Sequence, residues 1–438
     1  MISSSPFFIL FSFIILIFLG IPISYAMIIT AMTFVLFSGR GMEALVIPFS
    51  RLGIGFSFSL LAVFLFIQLG FLMNESKMSD FLINFLRQLL GRFIKHGRTG
   101  IIMITSCAAC GPLTGSACGT TTAVGGIMLP QMDKLGYNRK YSTALLAYSG
   151  ILGTLIPPSI SGLIYAIIVG MPVFTVWVAV GGVGILYLLV LVITSYILSK
   201  KANYESYNSF KVYKKDLNLY KSFIKALPSF FVPVSIFGSI YGGIATPTEA
   251  GAVGILMTFL LGIFYYKTIY SFKQFIKVLY ISAYQTAIIM FLICASFSLS
   301  YTLTVTGSIK AIAHSMLLLT DNKYLLLLLT EGLLLILGCF LDDTPIMVLL
   351  APIASAILIP IGVHPYHLAT VFIFICVVGL VTPPVGTVLY AASAVSGVSV
   401  GDMLKEILTF FIPAVIVLLL ITFFPAISFF LPKLFGLL

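Results

Sequence analysis

Two short stretches of this 438-residue chain could hold a desolvated cation. One is Gly153-Thr154-Leu155-Ile156-Pro157-Pro158-Ser159, the other Gly379-Leu380-Val381-Thr382-Pro383-Pro384-Val385. Tandem prolines remove two N–H donors and clash with the preceding turn, so a helix crossing either stretch breaks there. The freed carbonyls near Gly153 and Ile156, and near Gly379 and Thr382, are hard oxygen donors, and a half-helix C-terminus adds negative dipole. Thr382 also offers a hydroxyl. One isolated Pro-Pro would read as a kink absorbed by packing, whereas the twin arrangement favours cation binding. A hydroxyl cluster, Ser116, Thr120, Thr121 and Thr122, lies among Gly115 and Gly119 and could ligate an ion or hydrogen-bond an anion. Helix packing by small residues competes with that reading for each hydroxyl, and Ser116 is favoured as functional. Asp342 and Asp343 interrupt another apolar run, where a carboxylate is costly. One of the two is expected to help hold a cation and the other to cap the helix that follows, with Asp342 favoured for the cation. Glu249, after Thr246-Pro247-Thr248, reads as part of a helix start with Thr246 as cap, and no role is assigned to Glu331.

These groups must be positioned by helices in lipid. The chain is 60% hydrophobic and 8% charged, against roughly 25% charged in soluble domains. Met1 to Pro6 lacks the basic residues of a cleaved signal peptide, so the first apolar segment is expected to be retained. Apolar spans run over 6–20, 22–37, 53–73, 100–130, 142–169, 173–198, 226–245, 250–266, 279–304, 324–360, 367–394 and 409–431. The spans 100–130 and 324–360 are too long for one crossing and are broken near their middles, at Gly115-Ser116 and between Gly338 and Pro345. They read as re-entrant hairpins, because irregular backbone at membrane depth needs protein or water to cover it.

The pattern repeats. Gly136 and Gly362, Gly153 and Gly379, and Pro157 and Pro383 are each 226 residues apart, and the closing prolines of the hairpins, Pro130 and Pro352, are 222 apart. Residues 1–198 form a first repeat, 199–225 a linker and 226–438 a second repeat. With five crossings besides the hairpin in each half, the second repeat is inverted, an arrangement used by secondary transporters. Segments 74–98, 133–141, 199–225, 267–278 and 401–408 hold 19 of the 24 Lys and Arg residues, which makes their side cytoplasmic. The expected fold class is therefore all-α and polytopic, with two hairpins and two broken helices.

Several functions are disfavoured. The net charge of +11 falls between apolar spans instead of forming a nucleic-acid surface. No Walker motif is present, so ATP does not drive this chain. Cys107 and Cys110 form C-x-x-C without a His or second Cys pair nearby, and all six cysteines read as reduced, small and buried. His96, His314, His364 and His367 are not paired with the nucleophile or metal ligands an intramembrane enzyme requires. A stand-alone anion carrier of similar architecture and a channel remain as rivals to be separated by uptake kinetics.

The stretches Gly115-Ser116 through Ile127-Met128-Leu129-Pro130, Gly153 through Ser159, Thr246-Pro247-Thr248-Glu249-Ala250, Gly338-Cys339-Phe340-Leu341-Asp342 and Gly379 through Gly386 occur in family order. In these the chain resembles the large membrane (M) subunit of tripartite ATP-independent periplasmic (TRAP) transporters. The resemblance implies an elevator-type carrier in the bacterial inner membrane, driven by sodium, with no cofactor and no metal besides the coupling ions. It implies an organic acid substrate, such as a dicarboxylate or sialic acid, handed over by a periplasmic binding protein (P). A small membrane subunit (Q) joins the scaffold, expected here as a separate chain because the first span begins near Pro6. By motif, one sodium site uses Ser116 with Gly153, Ile156 and Pro158, and the other uses Gly338 and Asp342 with Gly379 and Thr382. The substrate is expected at Gly115, Ser116, Thr120 and Thr344. Cys118-Gly119-Thr120 and the second acid, Asp343, depart from the common family pattern.

Overall fold

Glycine and proline punctuation in the sequence sets where each helix stops. The computed structural model describes residues 12–13, 15–16, 19–37, 60–94, 97–202, 204, 219–269, 271–305, 307, 311, 320 and 322–438, and no strand occurs among them. The chain runs through α1 (Ile23–Phe37), α2 (Leu61–Glu75) and α3 (Met78–Phe93) into a hairpin of α4 (Arg98–Thr114) and α5 (Ala117–Lys134). There follow α6 (Arg139–Gly150), α7 (Leu152–Leu155), α8 (Ile160–Val169) and the long α9 (Val173–Lys201). The second part comprises α10 (Leu219–Tyr241), α11 (Pro247–Leu260, continued by a π-helical turn, Leu261–Tyr265) and α12 (Phe272–Val305). It then forms a hairpin of α13 (Lys323–Gly338) and α14 (Asp343–Leu358), followed by α15 (Pro365–Gly379), α16 (Thr387–Ser396), α17 (Leu404–Phe423) and α18 (Ala426–Leu434). The order hairpin, broken helix, long helix thus occurs twice.

The first hairpin turns on two residues. Gly115 takes the left-handed conformation (φ 63°) and its N–H closes back on the Gly111 carbonyl at 2.7 Å, a helix stop that glycine adopts at least cost. Ser116 is extended and starts α5, accepting from the Gly119 N–H at 3.4 Å. In the second hairpin, Cys339 and Leu341 continue the turn by bonding to Leu335 and Leu337, and extended Asp342 starts α14. The broken helices end at Leu155 and Gly379 and resume at Ile160 and Thr387, with Pro157–Pro158 and Pro383–Pro384 both joined by cis bonds. Across the first break the axis bends by 45°.

Five helices are long and apolar enough to cross a bilayer among the described residues, and two bent pairs bring the number to as many as seven. The helices sort into two packed groups. In one, α1 lies on α12, α12 on α2, α2 on α11 and α11 on α10. In the other, the hairpins and broken helices interlock reciprocally: α8 packs on α14 of the second hairpin, and α16 packs on α5 of the first. The amphipathic α3 bridges the groups by packing on both α4 and α10.

Some expectations need correction. Segment 74–98 is largely helical: α3 turns by 64° from α2 and buries Met78, Ser79, Leu82 and Ile83 along one stripe, so Arg87 and Arg92 belong to an amphipathic helix. Lys273 and Lys277 lie on α12, which extends beyond the expected span. The span 409–431 is two helices, because Pro425 excludes Phe424 from helical conformation. Cys118 is only half-buried, whereas the other five cysteines are buried. Arg98 is also buried, at the base of the first hairpin. Thr246 and Glu249 form the expected helix start as a reciprocal capping box. Most of the span 6–20, the start of the span 53–73 and much of the linker 199–225 lie outside the described residues, as does His314.

The glycines at the hairpin bases of contact are tight. A Cβ on Gly379 would stand 2.6 Å from the Gly338 Cα, whereas one on Gly332 would meet nothing within 4 Å. Gly379→Ala is expected to destabilise by about 1–3 kcal/mol, as overpacking does, and so lower the melting temperature of the purified protein. Gly332→Ala, which gains up to about 1 kcal/mol of helix propensity, should be neutral or stabilising in the same melt.

Candidate functional site

Each hairpin tip is fastened to the break of a discontinuous helix by backbone hydrogen bonds. The Ile160 N–H, at the start of α8, donates to the Gly115 carbonyl at 3.2 Å. In the other half the N–H groups of Val385 and Gly386 both donate to the Cys339 carbonyl at 3.1 Å. Beneath each tip two glycines meet: a Cβ on Gly111 would lie 3.0 Å from the Gly153 Cα, and one on Gly338 would lie 2.8 Å from the Gly379 Cα. Any side chain there would separate hairpin from break.

The carbonyls orphaned at the breaks can be identified by counting. The helical donor to Gly153 is position 157 and that to Thr154 is position 158, both prolines without an N–H; Gly379 and Leu380 stand in the same relation to Pro383 and Pro384. At the second break the protein supplies substitutes. Thr382 N–H bonds the Gly379 carbonyl at 3.0 Å, Val388 N–H bonds Leu380 at 3.1 Å, and the Tyr148 hydroxyl donates to Val381 at 3.1 Å. Each carbonyl keeps a second lone pair. The Thr382 hydroxyl donates to the Val378 carbonyl at 2.8 Å, leaving its oxygen able to accept or ligate.

Between the two tips lies a cavity of about 420 Å³. The first tip lines it with Gly115, Ser116, Cys118 and Thr122, and the second with Asp342, Asp343 and Thr344. Thr154 and Ser161 from the first broken helix reach it, and α2 and α12 of the other helix group line it with Asn74 and Gln285. Asp342 accepts from the Thr387 hydroxyl at 3.2 Å. Asp343 is buried, accepts from the Thr344 N–H at 2.8 Å and is also hydrogen-bonded by the Ser161 hydroxyl of α8.

The residues expected at the sites are therefore distributed over two depths. Gly115, Ser116, Asp342 and Thr344 face the cavity. Gly153, Ile156, Pro158, Gly338, Gly379 and Thr382 belong to the breaks and glycine contacts behind the tips and do not line it. Ser116 and Gly153 come together, since a Cβ on Gly153 would meet the Ser116 carbonyl oxygen at 2.8 Å. Asp342 is hydrogen-bonded by Thr387 of α16, with no bond to Thr382. Thr120 does not reach the cavity: it is buried, its hydroxyl lies 2.5 Å from that of Thr114, and it packs on Gly153. Thr121 is likewise buried and donates to the Ala117 carbonyl at 2.8 Å.

Sequence reasoning missed Ser161, Thr387, Tyr148, Asn74 and Gln285. A polar side chain in an otherwise apolar span was the available signal for Gln285 and Ser161. Tyr148 carried none, since its role depends on a partner far along the chain. Glu331 is buried and accepts from the Thr422 hydroxyl at 2.7 Å, an interhelical contact between α13 and α17.

An apolar helical bundle with carboxylates and hydroxyls lining a cavity between two hairpin tips marks a polytopic membrane protein. The profile described as "Tripartite ATP-independent periplasmic transporter, DctM component" matches residues 10–427, and the chain belongs to this family. It is 29% identical to the sialic acid TRAP transporter large permease of Vibrio cholerae over 97% of this chain and 98% of that one. It is 30% identical to the C4-dicarboxylate TRAP transporter large permease of Pseudomonas aeruginosa over 93% of each. The isethionate TRAP transporter permease protein DctMQ of Oleidesulfovibrio alaskensis is 32% identical over 85% of this chain and 58% of that longer one. The chain is a transport protein and not an enzyme.

Cys118 gives the cavity a reporter. It lines the cavity half-buried, while Cys107, Cys110 and Cys376 are fully enclosed. Reaction of the folded protein with a small maleimide, read by peptide mass spectrometry, should modify Cys118 before those three, because thiol reactivity requires access. Earlier modification of Cys107 or Cys110 would contradict the enclosure described.

Proposed function

We propose that this chain is the large permease of a sodium-coupled carrier that takes up a small organic acid delivered by a periplasmic binding protein across a bacterial inner membrane. The observation that carries the reading is the convergence of both hairpin tips, with their hydroxyls and carboxylates, on one cavity inside an apolar bundle. One sodium ion is assigned to Ser116 with the backbone of Gly153, Ile156 and Pro158, and a second to Gly338, Asp342, Gly379 and Thr382. The acid is assigned to Gly115, Ser116 and Thr344, with Thr120 steadying the first tip from behind through Thr114.

The two packed helix groups supply the moving parts. The hairpins, broken helices and α9, α17 and α18 form a transport body, α10 to α12 with α1 and α2 form its scaffold, and each of the inverted repeats 1–198 and 226–438 contributes to both. The body slides as an elevator, the segment 199–225 serves as a cytoplasmic linker, and a small membrane subunit widens the scaffold. Sodium organises the tips, and the carrier's equilibrium shifts only through the differential affinity of its ligands for the two states.

Reconstitution with the small subunit, an inward sodium gradient and candidate acids tests the reading. Uptake should require both sodium and the binding protein; uptake indifferent to the binding protein would replace the tripartite mechanism with a stand-alone carrier. Thr382→Ala and Asp342→Asn should each raise the sodium concentration for half-maximal uptake by about tenfold, the scale of one lost ligand. Unchanged sodium affinity in both, with normal expression, would remove the ligand assignment.

A further inference from the structure

Two lysines of this chain hold a backbone conformation that favours glycine. Among the described residues, Lys77 (φ 54°) and Lys267 (φ 52°) are the two positions with positive φ that are not glycine. Each follows the end of a helix: Lys77 comes after α2 and its cap Ser76, and Lys267 after the π-helical turn of α11 and its cap Tyr266. Glycine is the usual residue at such a stop, because a Cβ makes the left-handed region costly.

The two corners meet, and a third segment joins them. The Thr268 hydroxyl donates to the Ser76 carbonyl at 3.1 Å. The Tyr266 hydroxyl donates to the Lys225 carbonyl of α10 at 3.0 Å. The Ser229 hydroxyl, also on α10, donates to the Met78 carbonyl at 3.2 Å and lies 2.9 Å from the Tyr266 hydroxyl. Tyr266 is buried against Phe81 of α3, with ring centroids 4.7 Å apart. One hydrogen-bonded knot therefore holds the backbones of Lys77, Lys225 and Lys267 together, while all three side chains are exposed. Lys221 stands one turn before Lys225, and the acids nearest in sequence are Glu75 and Asp80, so four lysines stand against two carboxylates. Exposed Tyr220, Phe264 and Tyr265 flank the lysines, as aromatic side chains do at headgroup depth.

We propose that this corner, where α2, α10 and α11 meet, binds the phosphodiester of an anionic phospholipid of the cytoplasmic leaflet, with Lys77, Lys225 and Lys267 as its cationic contacts. The distribution of Lys and Arg along the chain puts all three on the cytoplasmic side, and basic sites between membrane helices on that side suit such headgroups. The site stands apart from the ion and substrate assignments above. A lysine just past a helix end also complements the helix dipole, a role that each corner could serve alone. Binding a headgroup instead requires the three positions to act together, which is what the knot arranges.

The test melts the purified full chain in neutral detergent with added dioleoylphosphatidylglycerol, dioleoylphosphatidylcholine or inorganic phosphate. Phosphatidylglycerol should raise the melting temperature saturably, as a ligand of the folded state does, and phosphatidylcholine and millimolar phosphate should not. Lys77→Gly and Lys267→Gly relieve the backbone as they remove the charge. Each should weaken the apparent affinity for phosphatidylglycerol about fivefold, the scale of one Lys at an anionic surface, without lowering the melting temperature in detergent alone. Lys225→Gln, which leaves both corners intact, should weaken it equally, and Lys77→Arg should retain it. Equal responses to the two lipids, or a phosphatidylglycerol affinity unchanged in all three charge-removing variants, overturns the headgroup site. Glycine variants that melt lower in detergent alone and keep the lipid affinity would leave the lysines only a helix-end role. A response reproduced by inorganic phosphate overturns the lipid in favour of a soluble anion.

Discussion

The structure depends on backbone meeting backbone at two pairs of glycines. Gly111 lies on Gly153 and Gly338 lies on Gly379, close enough that a methyl group on Gly379 would stand 2.6 Å from the opposing Cα. Beyond each contact an amide just past the break donates to the carbonyl at the hairpin tip: Ile160 to Gly115, and Val385 with Gly386 to Cys339. These bonds solve a problem set by the medium. A hairpin tip and a broken helix both expose unpaired polar backbone, and lipid satisfies none of it. Placed against each other, they partly satisfy one another and leave some carbonyl lone pairs and helix-start amides facing inward.

What remains facing inward meets at one cavity. The first tip lines it with hydroxyls, the second with two carboxylates, and the other helix group with Asn74 and Gln285. Reciprocal packing of α8 on α14 and α16 on α5 ties the two halves together. Tyr148 adds a direct tie, donating from α6 to the Val381 carbonyl at the second break, while Tyr187 donates to the Tyr148 carbonyl at 3.1 Å.

Much of this was legible in the sequence because it is written in residues with narrow conformational ranges. Pro157-Pro158 and Pro383-Pro384 located both breaks, and Gly115-Ser116 located the first tip as a left-handed stop followed by an extended cap. The offsets near 226 residues paired the two halves. The failures share a cause as well. The basic residues of 74–98 were counted together as one charged segment, whereas Arg87 and Arg92 lie on the amphipathic α3 and Arg98 is buried on α4. Thr120 and Thr114 are alike in sequence, but only the fold shows that Thr120 turns toward Gly153 and Thr114 toward the cavity. The Gly111–Gly153 contact and the Tyr148 bond join positions far apart or on different helices, and local pattern carries no trace of such pairings.

In the transport mechanism proposed above, each hairpin moves with the broken helix to which its backbone is fastened, and both move against the scaffold. Pulsed electron paramagnetic resonance on spin labels at Ile336, Tyr390 and Leu256 tests it, using exposed sites on α13, α16 and α11 in a background with the native cysteines replaced. The account predicts that the Ile336–Tyr390 distance distribution stays the same with and without sodium and substrate, while the Ile336–Leu256 distribution shifts. A variable Ile336–Tyr390 distance beside a fixed Ile336–Leu256 distance would contradict it, because the hairpin would then be moving on its own break and not with it.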